Sequence, residues 1–447
     1  MAQFIGKKYF QIAPLNNVSS FSFTAGQDVI RFSIPSMQGA LLDDVLLMGN
    51  LQIDLDENAT PYTSAESADG VIGVDSVSAI NSFISKVELS TRRGNMLIEQ
   101  RNNYDLISKV RKAPFNSAND LNVGVSNCQE LASSSVAGSA LRLKRATGDI
   151  NGSPFCFNLN VGFLSEAQEK IDLGLLGGLE IVIYLNSDKN ALFNEDNSAT
   201  NLLGAGAYAN VRYTLRNVNL FGAYQMYSGS PPNNQVNFKQ TSNNLQVINS
   251  SNDVNGFSPQ VQSMDHILVV AQPNSDSKNK FTTDAQQTNQ LIGMKSYKVA
   301  RNGMPFPMDF KSEVVTSLSG QLPANSSGDS VSGNAEQVFH LCVASMGQYP
   351  GYHSCISAEA EAVANGDLEA NTNTITRNFL PVGISYQYGF SGFSTPMQSD
   401  LVQINLESSV LTSDQNVNTT VRDQPQTMNN LYKYNTVLNY KNLMVEK

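Results

Sequence analysis

The feature that most constrains this chain is a hydrophobic period of two, sustained from one end to the other. Phe155, Phe157, Leu159, Val161 and Phe163 alternate with Cys156, Asn158, Asn160 and Gly162. Leu47, Gly49, Leu51, Ile53 and Leu55 alternate with Met48, Asn50, Gln52 and Asp54, and Leu179, Ile181, Ile183 and Leu185 with Glu180, Val182 and Tyr184. Val382, Ile384, Tyr386, Tyr388 and Phe390 repeat the rhythm late in the chain. Successive strand side chains point to opposite faces, so this pattern lays one face of a sheet on a core and leaves the other wetter. Helical spacing is confined to residues 103–112, 165–171 and 357–365. Strands without long helices between them cannot be wound into βαβ units, which leaves antiparallel sandwiches.

A chain of 447 residues has room for two or three such domains. Its hydrophobic share of 41% is too high for disorder, and only 15% is charged, the balance being made up largely by 49 Asn with Ser and Gln. The most apolar run, Gly174 to Leu185, is short and carries Glu180, and Met1–Lys8 lacks the order of a signal peptide, so neither a membrane span nor export is expected. The net charge of −10 is divided evenly, with 17 basic and 22 acidic residues in 1–226 and 12 and 17 in 227–447. That distribution offers no basic face or arm, so direct sequence-specific binding of nucleic acid is not expected. Four cysteines make no disulfide framework, and folding in a reducing cell interior is the default.

The chain divides near its middle. Ser228-Gly229-Ser230-Pro231-Pro232-Asn233-Asn234 cannot continue a strand ladder. On either side run ordered echoes: Ser85–Leu89 with Tyr297–Ala300, Leu179–Ile183 with Leu401–Asn405, and Val211–Leu215 with Tyr432–Thr436, displaced by 212, 222 and 221 residues. Three matches in one order at nearly one offset predict two copies of a single sandwich. Long Asn/Ser/Gly-rich segments lie between the strands, at 56–78, 113–135, 186–209, 273–290 and 318–337. Loops of that length are usually functional or built into a neighbour.

With these features the sequence resembles the double jelly-roll major capsid proteins of icosahedral double-stranded DNA viruses, of the polinton-like virus and virophage type. The resemblance rests on Ser82–Leu89, the turn at Arg93-Gly94-Asn95, Leu97-Ile98-Glu99 with Asn103-Tyr104, and Phe155–Phe163 followed by Ile171–Ile181. It implies an all-β fold of two tandem antiparallel eight-stranded jelly-roll sandwiches, with long inter-strand loops and a few short helices. The expected divisions are an N-terminal arm over 1–17, a first jelly roll over 18–226, a linker over 227–235, and a second jelly roll with a C-terminal arm over 236–447. The implied function is a structural one: homotrimeric, pseudo-hexameric capsomers in a viral shell, with neighbouring capsomers, penton and minor capsid proteins as partners and the virion as location. Contact with an internal membrane is left open. Two other classes stay in view, another β-sandwich virion surface protein (penton, fibre or adhesin) and a glycan-binding module.

The sharpest chemical constellation is His340-Leu341-Cys342 with His353-Ser354-Cys355. Spacing i, i+2 on two strands could supply four zinc ligands, but the flanking Val338, Phe339, Leu341 and Val343 read as an ordinary core strand, so no metal is expected at His340, Cys342, His353 and Cys355. Gly174–Gly178 precedes a strand and lacks the Lys-Ser/Thr of a nucleotide loop, which makes it a turn. Asp43-Asp44 reads as a solvated strand end. No histidine lies near a nucleophile elbow, and neither catalysis nor a cofactor is expected.

The expected contacts are therefore those of assembly. Clean alternation spends the apolar strand faces internally, so the loops and chain ends are expected to hold the trimer. The candidate residues are Phe4 and Ile5 at one end, Leu443 and Val445 at the other, and the apolar anchors Leu121, Val123, Leu192, Phe193, Leu202 and Leu203 in polar loops.

Overall fold

A computed structural model describes residues 3–54, 72–75, 79–112, 140–142, 153–194, 212–228, 234–248, 252–273, 294–305, 312–313, 382–385, 395–397, 399–408, 426–441 and 443–446. The first half opens with β1 (Gln3–Ile12), β2 (Ser20–Phe21), β3 (Val29–Ile34), β4 (Ala40–Asp54) and β5 (Ile72–Asp75). A 3-10 turn at Ala79–Phe83 leads to β6 (Ile84–Thr91), β7 (Leu97–Asn102), α1 (Tyr104–Lys112) and β8 (Ala140–Arg142). Then come β9 (Ser153–Asn158), α2 (Gly162–Ser165), β10 (Ile171–Asp172), α3 (Leu173–Leu176), β11 (Leu179–Leu185), α4 (Asp188–Ala191), β12 (Leu192–Asn194) and β13 (Arg212–Ser228). The second half holds β14 (Gln235–Ile248), β15 (Asn252–Phe257), β16 (Val261–Pro273), β17 (Met294–Arg301), β18 (Met304–Pro305) and β19 (Ser312–Glu313). It ends with β20 (Val382–Ser385), β21 (Thr395–Met397), β22 (Val402–Ser408), β23 (Gln426–Asn439) and β24 (Met444–Glu446).

Each half is built from two antiparallel sheets with the same strand order. In the first, β1-β13-β4 is completed by β9 and β10 along one edge of β4, and the facing sheet runs β3-β11-β6-β7. In the second, β14-β23-β16 is completed by β20 and β21, and the facing sheet runs β15-β22-β17-β18. Counting β9 with β10 and β20 with β21 as one broken strand each, both are eight-stranded jelly rolls. Small additions surround them: β2 on β13, β19 on β17, β24 on β23, and a separate ribbon β12-β5-β8. The sequence echoes fall on equivalent strands, β6 with β17, β11 with β22 and β13 with β23, but the last is out of register, since the bulges place Tyr224 and not Tyr213 in the position of Tyr434.

Alternation produces the core as expected. Along β11 every second residue is buried, with Ile181 between Phe32 and Leu89 and Ile183 between Ile30 and Val87, all at 0% exposure. Each such side chain contributes about 1.5–3 kcal/mol on leaving water. Phe155, Phe157, Leu159, Val161 and Phe163 are all buried, yet the strand stops at Asn158.

Several expectations change. The segment expected as an N-terminal arm carries β1, paired with β13 from Gln3↔Ser228 to Ile12↔Leu220. At the other end β24 folds back on β23, Leu438 opposite Val445. The helix expected over 165–171 lies earlier, at Gly162–Ser165, whereas α1 falls within the expected 103–112. Gly174 lies in the one-turn helix α3, in which the Gly174 and Leu175 amides donate to the Asp172 carboxylate at 2.8 and 2.9 Å. Gly177 and Gly178, at φ 78° and 94°, then turn the chain into β11, so their role is conformational.

Candidate assembly surfaces

The two jelly rolls meet through unlike faces. From the first comes the chain around β7, α1 and α2; from the second, the free edge of β14 and the sheet behind it. Phe163 meets Phe238 edge to face at 5.1 Å, and Val236, Phe238, Leu438 and Tyr440 join the first half's core. The edge of β14 is hydrogen-bonded across the junction: the Gln168 amide donates to the Asn237 carbonyl (2.8 Å), and the Asn237 amide donates to Glu169 (2.7 Å). The Gln240 side chain donates to the Ile98 carbonyl (2.8 Å), and Lys433 pairs with Glu166 at 2.5 Å. On the outer face of this sheet, Leu106 and Ile107 of α1 cluster with Leu268 and Leu431.

One buried ion pair shapes the first half's side of the contact. Glu99 accepts from the Gly162 and Phe163 amides at 2.9 and 2.7 Å and lies 3.1 Å from Arg101, which also donates to the Asn160 carbonyl. Their side chains are 1% and 0% exposed, a placement tolerated because the charges compensate and the carboxylate is hydrogen-bonded. Gly162 is required by approach: a Cβ there would stand 1.6 Å from the Lys239 carbonyl oxygen. Beside the contact opens a cleft of about 450 Å³, lined among others by Leu97, Glu99, Gln240, Tyr434 and Val445. Burial raises the Tyr434 phenol to about 12.

The second surface is β1. Among the described residues it pairs only with β13, and it exposes Phe4 (55%), Ile5 (66%) and Tyr9 (66%). Phe4 sits edge-on to Tyr227 at 5.7 Å and Tyr9 stacks on Phe221 at 6.0 Å, so the apolar strip continues onto β13. Lys7 pairs with Asp43 at 2.6 Å, and Lys170 pairs with the same carboxylate. Hydrogen bonds from Lys170 and Lys7 hold the Asp43 carboxyl below its ordinary range, and Asp43 raises Lys7 in return. Asp43-Asp44 is thus a bulge with a built ion pair: Leu42 faces Tyr224, Asp44 faces Ala223, and Asp43 is extra.

The expected contact residues are distributed unevenly. Phe4 and Ile5 are exposed side by side on β1. Leu192 is wholly buried in the first half's core and is not available to a neighbour, because α4 turns it inward behind Ala191. Phe193 lies in β12, with its side chain outside the described set. Leu443 is half-buried at φ 48°, and Val445 packs on the core. Leu121, Val123, Leu202, Leu203 and the four residues His340, Cys342, His353 and Cys355 lie outside the described residues. What the sequence reading missed is the junction, Glu99, Arg101 and Gly162 above all. A signal was present in a fourth echo, Leu42-Asp43-Asp44-Val45-Leu46 with Met264-Asp265-His266-Ile267-Leu268, which marks equivalent bulged strands.

Solved structures share this architecture. The PBCV-1 virus capsid aligns over 98% of this chain and 95% of its own at TM-score 0.56 and 10% identity. The Faustovirus major capsid protein aligns over 97% and 90% at TM-score 0.56 and 9% identity. The Sputnik virophage structure aligns over 99% and 88% at TM-score 0.51 and 10% identity. No family model and no curated protein matches the sequence. At this identity the likeness is one of fold, the double jelly roll.

Proposed function

We propose that this chain is a major capsid protein, a structural subunit that associates as homotrimers with six jelly rolls arranged as a near-hexagon and then tiles an icosahedral viral shell. The observation that carries the reading is the welding of two equivalent jelly rolls into one body, over nearly the whole length of proteins of that name. A trimer of duplicated sandwiches presents six similar units, and closed symmetry needs only one repeated contact. Its partners would be copies of itself, then penton and minor capsid proteins, and its place the virion; the role calls for no catalysis. The junction supports this use, because a brick must hold its two halves at a fixed angle before its neighbours can register against them. The division of the chain into jelly rolls at 227–235, with β1 part of the first, belongs to the same proposal.

The test is light scattering of the purified protein behind a sizing column, followed by negative-stain electron microscopy. A particle of three chain masses with a near-hexagonal outline is expected. A monomer at every concentration and ionic strength would remove the reading.

A further inference from the structure

The weld between the two jelly rolls is not closed along its whole length. Where the Gln240 side chain ties β14 to the Ile98 carbonyl of β7, a cleft of about 450 Å³ remains. Its walls are β7 and the residue before it on one side, and β14, β23 and β24 on the other. That volume is in the range of small-molecule sites. We propose that the cleft binds one uncharged amphiphile, an alcohol whose hydroxyl enters first and whose apolar body rests on Met96, Leu97 and Val445. The inference goes beyond the capsid reading and does not depend on it.

Burial sets the direction of entry. Ile98, Glu99, Gln240 and Tyr434 are buried, Met96, Ser242 and Val445 are half-buried, and Leu97, Gln100 and Asn102 are exposed. The cleft therefore runs from a polar inner end at Gln240 and Tyr434 to a mouth where Leu97 is 49% exposed. Met96 and Val445 line the same cleft. Apolar surface left in water there is surface that an apolar body would cover with a gain in free energy.

The inner end asks for a hydrogen-bond donor. The Tyr434 hydroxyl donates to Gln240 Oε1 at 2.8 Å, and Gln240 Nε2 donates to the Ile98 carbonyl at 2.8 Å. A phenol has one hydrogen, so the 3.1 Å contact between Ser242 and Tyr434 runs from the serine hydroxyl to the phenol oxygen. Ser242 has then given its own hydrogen, and its oxygen is left able to accept. A ligand hydroxyl meets that need. An ether, which only accepts, does not.

Ionic heads fit poorly against the same walls. The Glu99 carboxylate is compensated by Arg101 at 3.1 Å and by the amides of Gly162 and Phe163, and burial raises the Tyr434 phenol to about 12, so it stays neutral. Among the described residues the inner end presents no uncompensated charge, and burying an ion without a counter-charge is costly. An amine is cationic at neutral pH and a carboxylic acid anionic, which leaves the alcohol. Because both jelly rolls line the cleft, its occupant touches both and stabilises the junction by mass action.

The experiment is calorimetric titration of the full-length protein with 1-octanol, with 1-methoxyoctane and octanoate as comparisons. The same titrations are run on Ser242→Ala, Leu97→Asp and Phe4→Lys/Tyr9→Lys. Saturable binding of one octanol per chain is expected, about tenfold weaker for the ether and the carboxylate, and about tenfold weaker in the first two variants. The third variant removes only the exposed strip of β1 and should bind octanol as before. No saturable binding, equal affinity for alcohol and ether, or a loss confined to the β1 variant would overturn the inference. Hydrogen exchange on the unsubstituted protein guards against a variant that misfolds. Octanol should slow the amides of residues 96–102 and 240–242, and protection that spares them would count against the site.

Discussion

Glu99 and Arg101 brace the first jelly roll's side of the junction with a buried charge pair, and Gly162 lets the Lys239 carbonyl of the second approach it. Replacing Glu99 with Ala leaves a buried guanidinium without its carboxylate and two backbone amides without their acceptor; a loss of about 3–5 kcal/mol is expected, read from the guanidinium-chloride midpoint. Gly162→Ala should be at least as damaging, because the atom it would press on is a strand carbonyl. Asp43 acts through pH. Its folded value lies below the unfolded one of about 3.9, so its stabilisation is present above that value and fades as pH falls through the folded value. The melting temperature of the unsubstituted protein should therefore drop below about pH 4 more steeply than that of Asp43→Asn. Parallel curves would show that the pair with Lys7 and Lys170 adds nothing.

At the scale of elements, β1 decides between two ideas of the chain's beginning. Apolar residues near a terminus suggest an arm, but Gly6, Lys8, Phe10 and Ile12 follow a strand's period, and Phe10 and Ile12 pack on the core beside Tyr224 and Leu220. Removing residues 1–10 should accordingly lower the melting temperature and expose the edge of β13 to aggregation, rather than yield intact trimers unable to tile. The paired substitution Phe4→Lys/Tyr9→Lys touches only exposed side chains, so stability should stay within about 0.5 kcal/mol while oligomers are lost. Trimers surviving it on the sizing column would place the contact elsewhere. Cutting out Leu192 to Leu203, by contrast, would take a wholly buried leucine from the core and report on folding before assembly.

For the molecule as a whole, a core shared by Val236, Phe238, Leu438 and Tyr440 with the first half predicts one cooperative transition. Calorimetry should show a single endotherm, and Phe238→Ala, which costs about 3–5 kcal/mol at a well-packed site, should separate it into two. Two resolved endotherms in the unsubstituted protein would mean that the junction is weaker than its contacts suggest. Duplication followed by this asymmetric weld yields a body whose two ends differ.

Period-two alternation, and the echoes on β6, β11 and β13, were enough to establish an all-β, duplicated architecture, because burial of one strand face is a local demand that every strand must meet separately. The short helix at 104–112 was legible for the same reason. The course of β1, the burial of Leu192 and the Glu99–Arg101 pair were decided only in three dimensions. An edge strand and a loose arm carry the same few apolar residues, and differ in whether a partner 208 or more residues away supplies the other half of the ladder. A buried carboxylate reads on paper as one more polar position of an alternating strand. Its chemistry appears only when the fold brings Arg101 and the amides of Gly162 and Phe163 to it.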